Sequence, residues 1–320
     1  MQYVPSYLLG NGVSTFNPEI IALLERRAGP EAIGFALMEA VRSGNTDVFD
    51  QLINHERVDP SYVSASLRSA IWWNGPSSGE MKERLYQRLL KLKAEGVSVS
   101  LVAPILACID EGDLKLLQSI VNDFNPSFDF SELNITPLGK AVLIGDLEMV
   151  DFLLQHGADP SYHKPWENSP LLLAVNRHFK HLPYGRSITL FLKTLKTEFG
   201  EEYEFDRWDE SRFYYYKDHP EDSNEIGKRI FDLVLKLNLS LVTRLLKAGA
   251  NPTPELTFPS PVVDEEDDDS EDPVVQYFRK YRQNRKVERA DWLQREHSPL
   301  RAALHNRLMP IAQALTISVE

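Results

Sequence analysis

Only one cysteine, Cys108, occurs in the chain. That excludes an internal disulfide and any metal site built from cysteines alone, and it agrees with folding in a reducing compartment. No apolar run approaches the ~20 residues needed to span a bilayer. The opening stretch, MQYVPSYLLGNGVSTFNPE, shows no basic segment followed by a long apolar one, so no secretory signal is visible. A cytosolic location is expected, with export by other signals left open. Positive charge is also in short supply: 35 Lys and Arg stand against 47 Asp and Glu, a net charge of −12. Phosphate binders need a basic face to displace counterions. The sign therefore opposes nucleic acid and anionic membranes and suits a basic protein partner. A phosphate-cradling Gly-rich loop, a nucleophile elbow, a kinase signature and an HExxH pair are missing as well.

What is present is an ordinary globular composition, 42% hydrophobic and 26% charged, and a repeat. Thr136-Pro137-Leu138, Ser169-Pro170-Leu171 and Ser298-Pro299-Leu300 each lead to an alanine three residues on, and the first two begin 33 residues apart. The tetrapeptide DPSY occurs at Asp59–Tyr62 and at Asp159–Tyr162, with relatives at Asn125–Phe128 and Asn251–Pro254. A spacing of this size marks stacked supersecondary units. In Thr136–Tyr162 each residue type has a physical task. Thr136 can cap a helix whose first position is Pro137. Leu138, Ala141 and Val142 form an apolar stripe, and Gly145 ends that helix. Met149, Val150, Leu153 and Leu154 form the stripe of a second helix, Gly157 ends it, and Asp159-Pro160 opens the next turn.

This unit resembles the ankyrin repeat. The resemblance implies an all-α fold, an ankyrin-like helix-pair solenoid with short hairpin loops and insertions. The expected layout is an N-terminal cap at 1–33 and an array at 34–320, with insertions near 200–223 and 258–275 and a terminal cap at 298–320. Seven units are expected. The second begins near SASLRSAIWW, and the sixth is Glu225–Pro252 with its own helix pair. The DPSY copies are read as corners of the stack. Where the family carries His after Thr-Pro-Leu, this chain has Gly139, Leu172 and Arg301, so irregular hairpins are expected.

The resemblance also implies a binding face formed by the first helices and hairpin tips. The two residues before each mid-unit glycine are expected to face it: Arg42 with Ser43, Asp110 with Glu111, and Leu143 with Ile144. The equivalent pairs are Asn176 with Arg177 in the fifth unit and His305 with Asn306 in the seventh. Leu133 and Trp166 lie on the hairpins. The segment Tyr203–Asp218, with Trp208, Tyr214 and Tyr215, either anchors an interface or packs on its own scaffold. For Trp72-Trp73 an enlarged core of the second unit is the preferred reading.

Other candidate chemistry yields to simpler readings. Cys108 aligns with Ala40 and Ala141 and reads as a small core residue. His178 and His181, with His163 earlier, lack the further ligands a zinc site needs. The acidic run Asp264–Asp272 lacks the glycine turn and distal glutamate of a calcium loop. The basic aromatic strip Gln276–Trp292 is read as charge balance for that run. The expected function is non-enzymatic protein recognition, with no cofactor and no metal, by an inhibitor, immunity-type or adaptor protein. A bacterial effector gripping a host protein is one alternative. An enzyme or nucleic-acid binder using the inserted loops or the 279–289 strip is another.

Overall fold

The computed structural model describes residues 29–73, 75–132, 135–163, 168–176, 193–194, 196–197, 200, 225–252, 299–305 and 308–317. The described residues form helices and no strand beyond an isolated antiparallel bridge between Glu132 and Ile135. This is the all-α helical-repeat architecture. The chain falls into two compact units, Met1–Pro126 and Ser127–Glu320.

The first unit contains α1 (Pro30–Ser43), α2 (Thr46–Leu52), α3 (Pro60–Trp72), α4 (Ser78–Ala94), α5 (Val102–Glu111) and α6 (Leu114–Phe124). α1 pairs with α2, α3 with α4 and α5 with α6, while α3 packs between α1 and α5. The leading helices run parallel. Trp73, just past the end of α3, lies against Gly44 at the end of α1. Ser64 Oγ near the start of α3 donates to the Ser100 carbonyl ahead of α5, at 2.5 Å. The second helices carry their own cross-links. Lys82 of α4 meets Asp113 at 2.7 Å, and Tyr86 donates to Asp123 at 2.5 Å. Arg84 of α4 pairs with Asp50 of α2.

The second unit contains α7 (Pro137–Ile144), α8 (Leu147–Gln155), α9 (Pro170–Val175), α10 (Glu225–Lys247), α11 (Pro299–His305) and α12 (Met309–Ile317). α7 pairs with α8 and α11 with α12. α9 packs on α7, α10 and α11, and α12 packs on α10.

One corner device recurs. Gly44, Gly112 and Gly145 end α1, α5 and α7 in the left-handed region, with φ of 70°, 65° and 81°, where glycine carries no Cβ penalty. The following residue caps the next helix. Asn45, Asp113 and Asp146 accept from the backbone N–H of Val48, Leu116 and Met149 at 3.1–3.2 Å. Burial raises the Asp146 carboxyl above its ordinary value, against the opposing hydrogen bond from Met149 N–H.

Where the device is missing, the chain does something else. Leu239–Pro252 repeats the pattern of Leu147–Pro160 at a spacing of 92 residues. Leu241, Val242, Leu245 and Ala250 are buried as Met149, Val150, Leu153 and Ala158 are. In that register Leu237-Asn238 replace the corner Gly145-Asp146, and the helix runs unbroken from Glu225 to Lys247. The expected sixth unit is therefore not a helix pair but a single long helix. It occupies a second-helix place beside α8. Arg244 Nε donates to both oxygens of Asp151 at 3.0 and 3.1 Å, and Asn251 N–H reaches Ser161 Oγ at 3.0 Å. Its first-helix partner is α9, across the long segment that joins them.

The DPSY copies also diverge. Both form the same Asx turn, with Ser61 N–H on Asp59 Oδ1 at 2.9 Å and Ser161 N–H on Asp159 Oδ1 at 2.8 Å. Yet Pro60 is the first residue of α3, whereas Asp159–Tyr162 stays a turn. The difference lies downstream. No proline follows Pro60 within α3, but Pro165 follows the second copy and disfavours helix at the residue before it. The second helix pair thus begins at Pro60, earlier than SASLRSAIWW suggests.

Two predictions test the corner. A Cβ on Gly44 would sit 2.4 Å from the Trp73 ring in addition to the left-handed backbone. Gly44→Ala should destabilise by at least about 1–2 kcal/mol, and Trp73→Ala in that background should recover the steric part only; strict additivity in urea melts would contradict the contact. Asp146, whose pKa is raised on folding, contributes stability that is full below the ordinary aspartate value and lost as pH rises through the folded one. Asp146→Asn, which keeps a capping oxygen as Asn45 does, should be as stable as the parent or more so at neutral pH. Asp146→Ala should lose about 1 kcal/mol, and thermal melts across the acid range would show the two diverging.

Candidate functional site

Four positions before the corners Gly44, Gly112 and Gly145 stand Ala40, Cys108 and Ala141. Ala70 follows Pro60 as Ala40 follows Pro30, and Ala174 and Ala303 follow Pro170 and Pro299 as Ala141 follows Pro137. Each of the six is between 0% and 2% exposed. Their size lets neighbouring first helices approach closely. Cys108 is thus a core residue, and burial pushes its thiol well above the ordinary value, which keeps it protonated and unreactive.

Two residues further on, the chain holds Arg42, Trp72, Asp110, Leu143, Asn176 and His305. In the first unit the parallel run of α1, α3 and α5 brings Arg42, Trp72, Asp110 and Glu111 to one edge, the C-terminal ends of the leading helices. Arg42 is exposed, its guanidinium 3.8 Å from the Glu39 carboxylate. Trp72 is 42% exposed, and the Arg68 guanidinium stacks 4.1 Å from its ring centre. Asp110 and Glu111 are half-buried.

Trp72 holds the corresponding place in the second helix pair. Measured from the helix-starting prolines, Trp72 follows Pro60 by the same interval as Arg42 follows Pro30. Starting the second unit at Ser64 hid that register. The expectation that both tryptophans enlarge a core is corrected. Trp72 faces solvent, and Trp73 is half-buried, its ring laid over Gly44 and Gly75.

In the second unit Leu143 is half-buried and Ile144 is 1% exposed. Ile144 lies three residues after Ala141 and seven after Pro137, both buried, so it shares their face of α7. The apolar pair expected to be open therefore offers Leu143 alone. Asn176 is half-buried at the end of α9. Leu133, Trp166, Arg177, Trp208, Tyr214 and Tyr215 lie outside the described residues. So do His178, His181, the acidic run Asp264–Asp272 and the strip Gln276–Trp292.

The helix starts are conventionally built. Thr136 Oγ1 accepts from Gly139 N–H at 2.9 Å, and Ser169 Oγ accepts from Leu172 N–H at 3.2 Å. The hairpin ahead of α7 closes through reciprocal Glu132–Ile135 backbone bonds at 3.1 and 3.2 Å. Among the described residues no group of three or more His, Cys, Asp or Glu is placed to hold a metal ion. No described helix is long and apolar enough to cross a membrane.

Comparison with known proteins agrees with this geometry. Residues 133–161 match the family model for the ankyrin repeat, the stretch that spans the hairpin, α7, the Gly-Asp corner and α8. A search of the curated proteins finds no match to the chain. The chain thus carries an ankyrin repeat at residues 133–161, and the Gly-Asx corner of that repeat recurs at Gly44-Asn45 and Gly112-Asp113.

Proposed function

We propose that the chain recognises another protein, without catalysing a reaction, through the ends of its leading helices and the adjoining loops. Ankyrin repeats in general serve protein–protein interaction. The observation that carries the reading here is a contrast between two positions of one register. Four residues before its described corners, and at the matching places of α3, α9 and α11, the chain has Ala or Cys, as close packing requires. Two residues further on, the chain places Arg42, Trp72, Asp110, Leu143, Asn176 and His305. Scaffold demands would repeat at both positions. A position whose residue type changes from helix to helix, with Arg42 and Trp72 exposed, has the makeup of a recognition surface, with Trp and Arg among the types that dominate binding energy.

The finer role follows the sign of charge. An acidic chain of net −12 suits an inhibitor or adaptor of a basic protein. An effector that grips a host protein would use the same positions.

The test is affinity capture from lysate with the parent chain and with Trp72→Ala and Leu143→Arg, one substitution in each unit. Lys115→Ala, on a second helix, serves as the control. Loss of at least one captured protein, by about tenfold or more for a true hot spot, is expected for one of the first two and not for the control. A capture profile that survives both, with melting temperatures unchanged, would remove these positions from the binding surface.

A further inference from the structure

From the stacked arginine of α3, and resting on the reading above, we infer that the face of α1 and α3 receives a carboxylate-bearing segment of the partner, its acidic side chain on Arg68 and an apolar neighbour on Trp72. The Arg68 guanidinium lies 4.1 Å from the centre of the Trp72 ring, one turn away on α3. Among the described residues no carboxylate pairs with it. Stacking covers one face of the guanidinium and leaves its in-plane N–H donors in a fixed orientation. Trp72 itself is 42% exposed, and α1, packed beside α3, presents Phe35 at 43%. Met38 and Arg42 lie one and two turns beyond Phe35 on the same side of α1. Arg42, its side chain 67% exposed, adds a second cation whose contact with Glu39 is a loose 3.8 Å, a pair of little energetic weight at such exposure.

A carboxylate fits this arrangement. It can accept two parallel N–H bonds from Arg68 in the guanidinium plane, and the stack stays whole while they form. The long side chain is already held on the ring, so less freedom is lost on binding. An apolar residue next to the acid covers the open part of Trp72 and extends toward Phe35. A cationic segment would meet Arg68 with like charge and find part of the ring taken. A purely apolar one would bury the guanidinium without an acceptor. The chain's net charge of −12 acts on the approach of a whole partner, whereas the stack acts on one side chain of the segment that lands there. The occupant is therefore a short stretch of another protein in which Asp or Glu stands beside bulky apolar residues.

The probe is a fluorescently labelled peptide of alternating Glu and Leu, with a matched peptide carrying Gln in place of Glu, titrated against the full chain by anisotropy. The parent should bind the Glu peptide about fivefold or more tightly than the Gln peptide, with the margin narrowing as salt rises. Arg68→Gln should abolish that preference, and Trp72→Ala should weaken both peptides. Lys115→Ala removes a charge of the same sign from a second helix and should leave the preference intact. Far-UV circular dichroism confirms that each variant is folded. A parent that binds neither peptide, or both equally, overturns the inference. So does a Glu preference that survives Arg68→Gln, or affinities that survive Trp72→Ala, since the peptide then sits elsewhere on the chain. A preference lost equally with Lys115→Ala overturns it too, because it then reports charge alone. Protein capture lost with Trp72→Ala but kept with Arg68→Gln would keep the general reading while overturning this one.

Discussion

A helix of eight to fourteen residues, the range from α7 to α1, cannot hide its apolar stripe by itself. Isolated helices of this length are marginal in water. Everything else in the structure follows from that constraint. Within each unit a pair leans on the next, past small buried residues: Ala40, Ala70 and Cys108 in the first, Ala141, Ala174 and Ala303 in the second. A larger side chain there would force the leading helices apart, at a typical overpacking cost of about 1–3 kcal/mol.

The corner is the second constraint, and it is chemical rather than volumetric. A left-handed glycine followed by an Asx cap turns one helix into two within two residues. Its presence at Gly44-Asn45, Gly112-Asp113 and Gly145-Asp146 makes three compact pairs. Its replacement by Leu237-Asn238 makes α10 a single helix of 23 residues whose pairing partner lies far back in the chain. Asn238, which by register would cap a helix, is instead buried in the middle of one.

The proposed recognition positions occupy what these constraints leave over. The residue two places before the corner is held in space by the small buried residue before it and by the helix end, yet no packing rule dictates its identity. Arg42 and Trp72 stand exposed at the ends of α1 and α3, as the proposed recognition requires. A rigid base under variable side chains lowers the ordering cost of binding.

Much of this was legible in the residues alone: the helix pairs, the small core position of Cys108, the corners and the pairs of residues flanking them. Those are local matters, set by helix periodicity, capping and the backbone freedom of glycine, and each is written within about thirty positions of chain. Tertiary structure decided the rest. It made α9 and α10 partners, since a helix with no internal corner must find its neighbour across an insertion whose length leaves no local trace. It turned one DPSY into a helix start and left the other a turn. It buried Ile144 and exposed Trp72, because exposure depends on which face the adjoining helix covers, and that neighbour is chosen by packing in three dimensions.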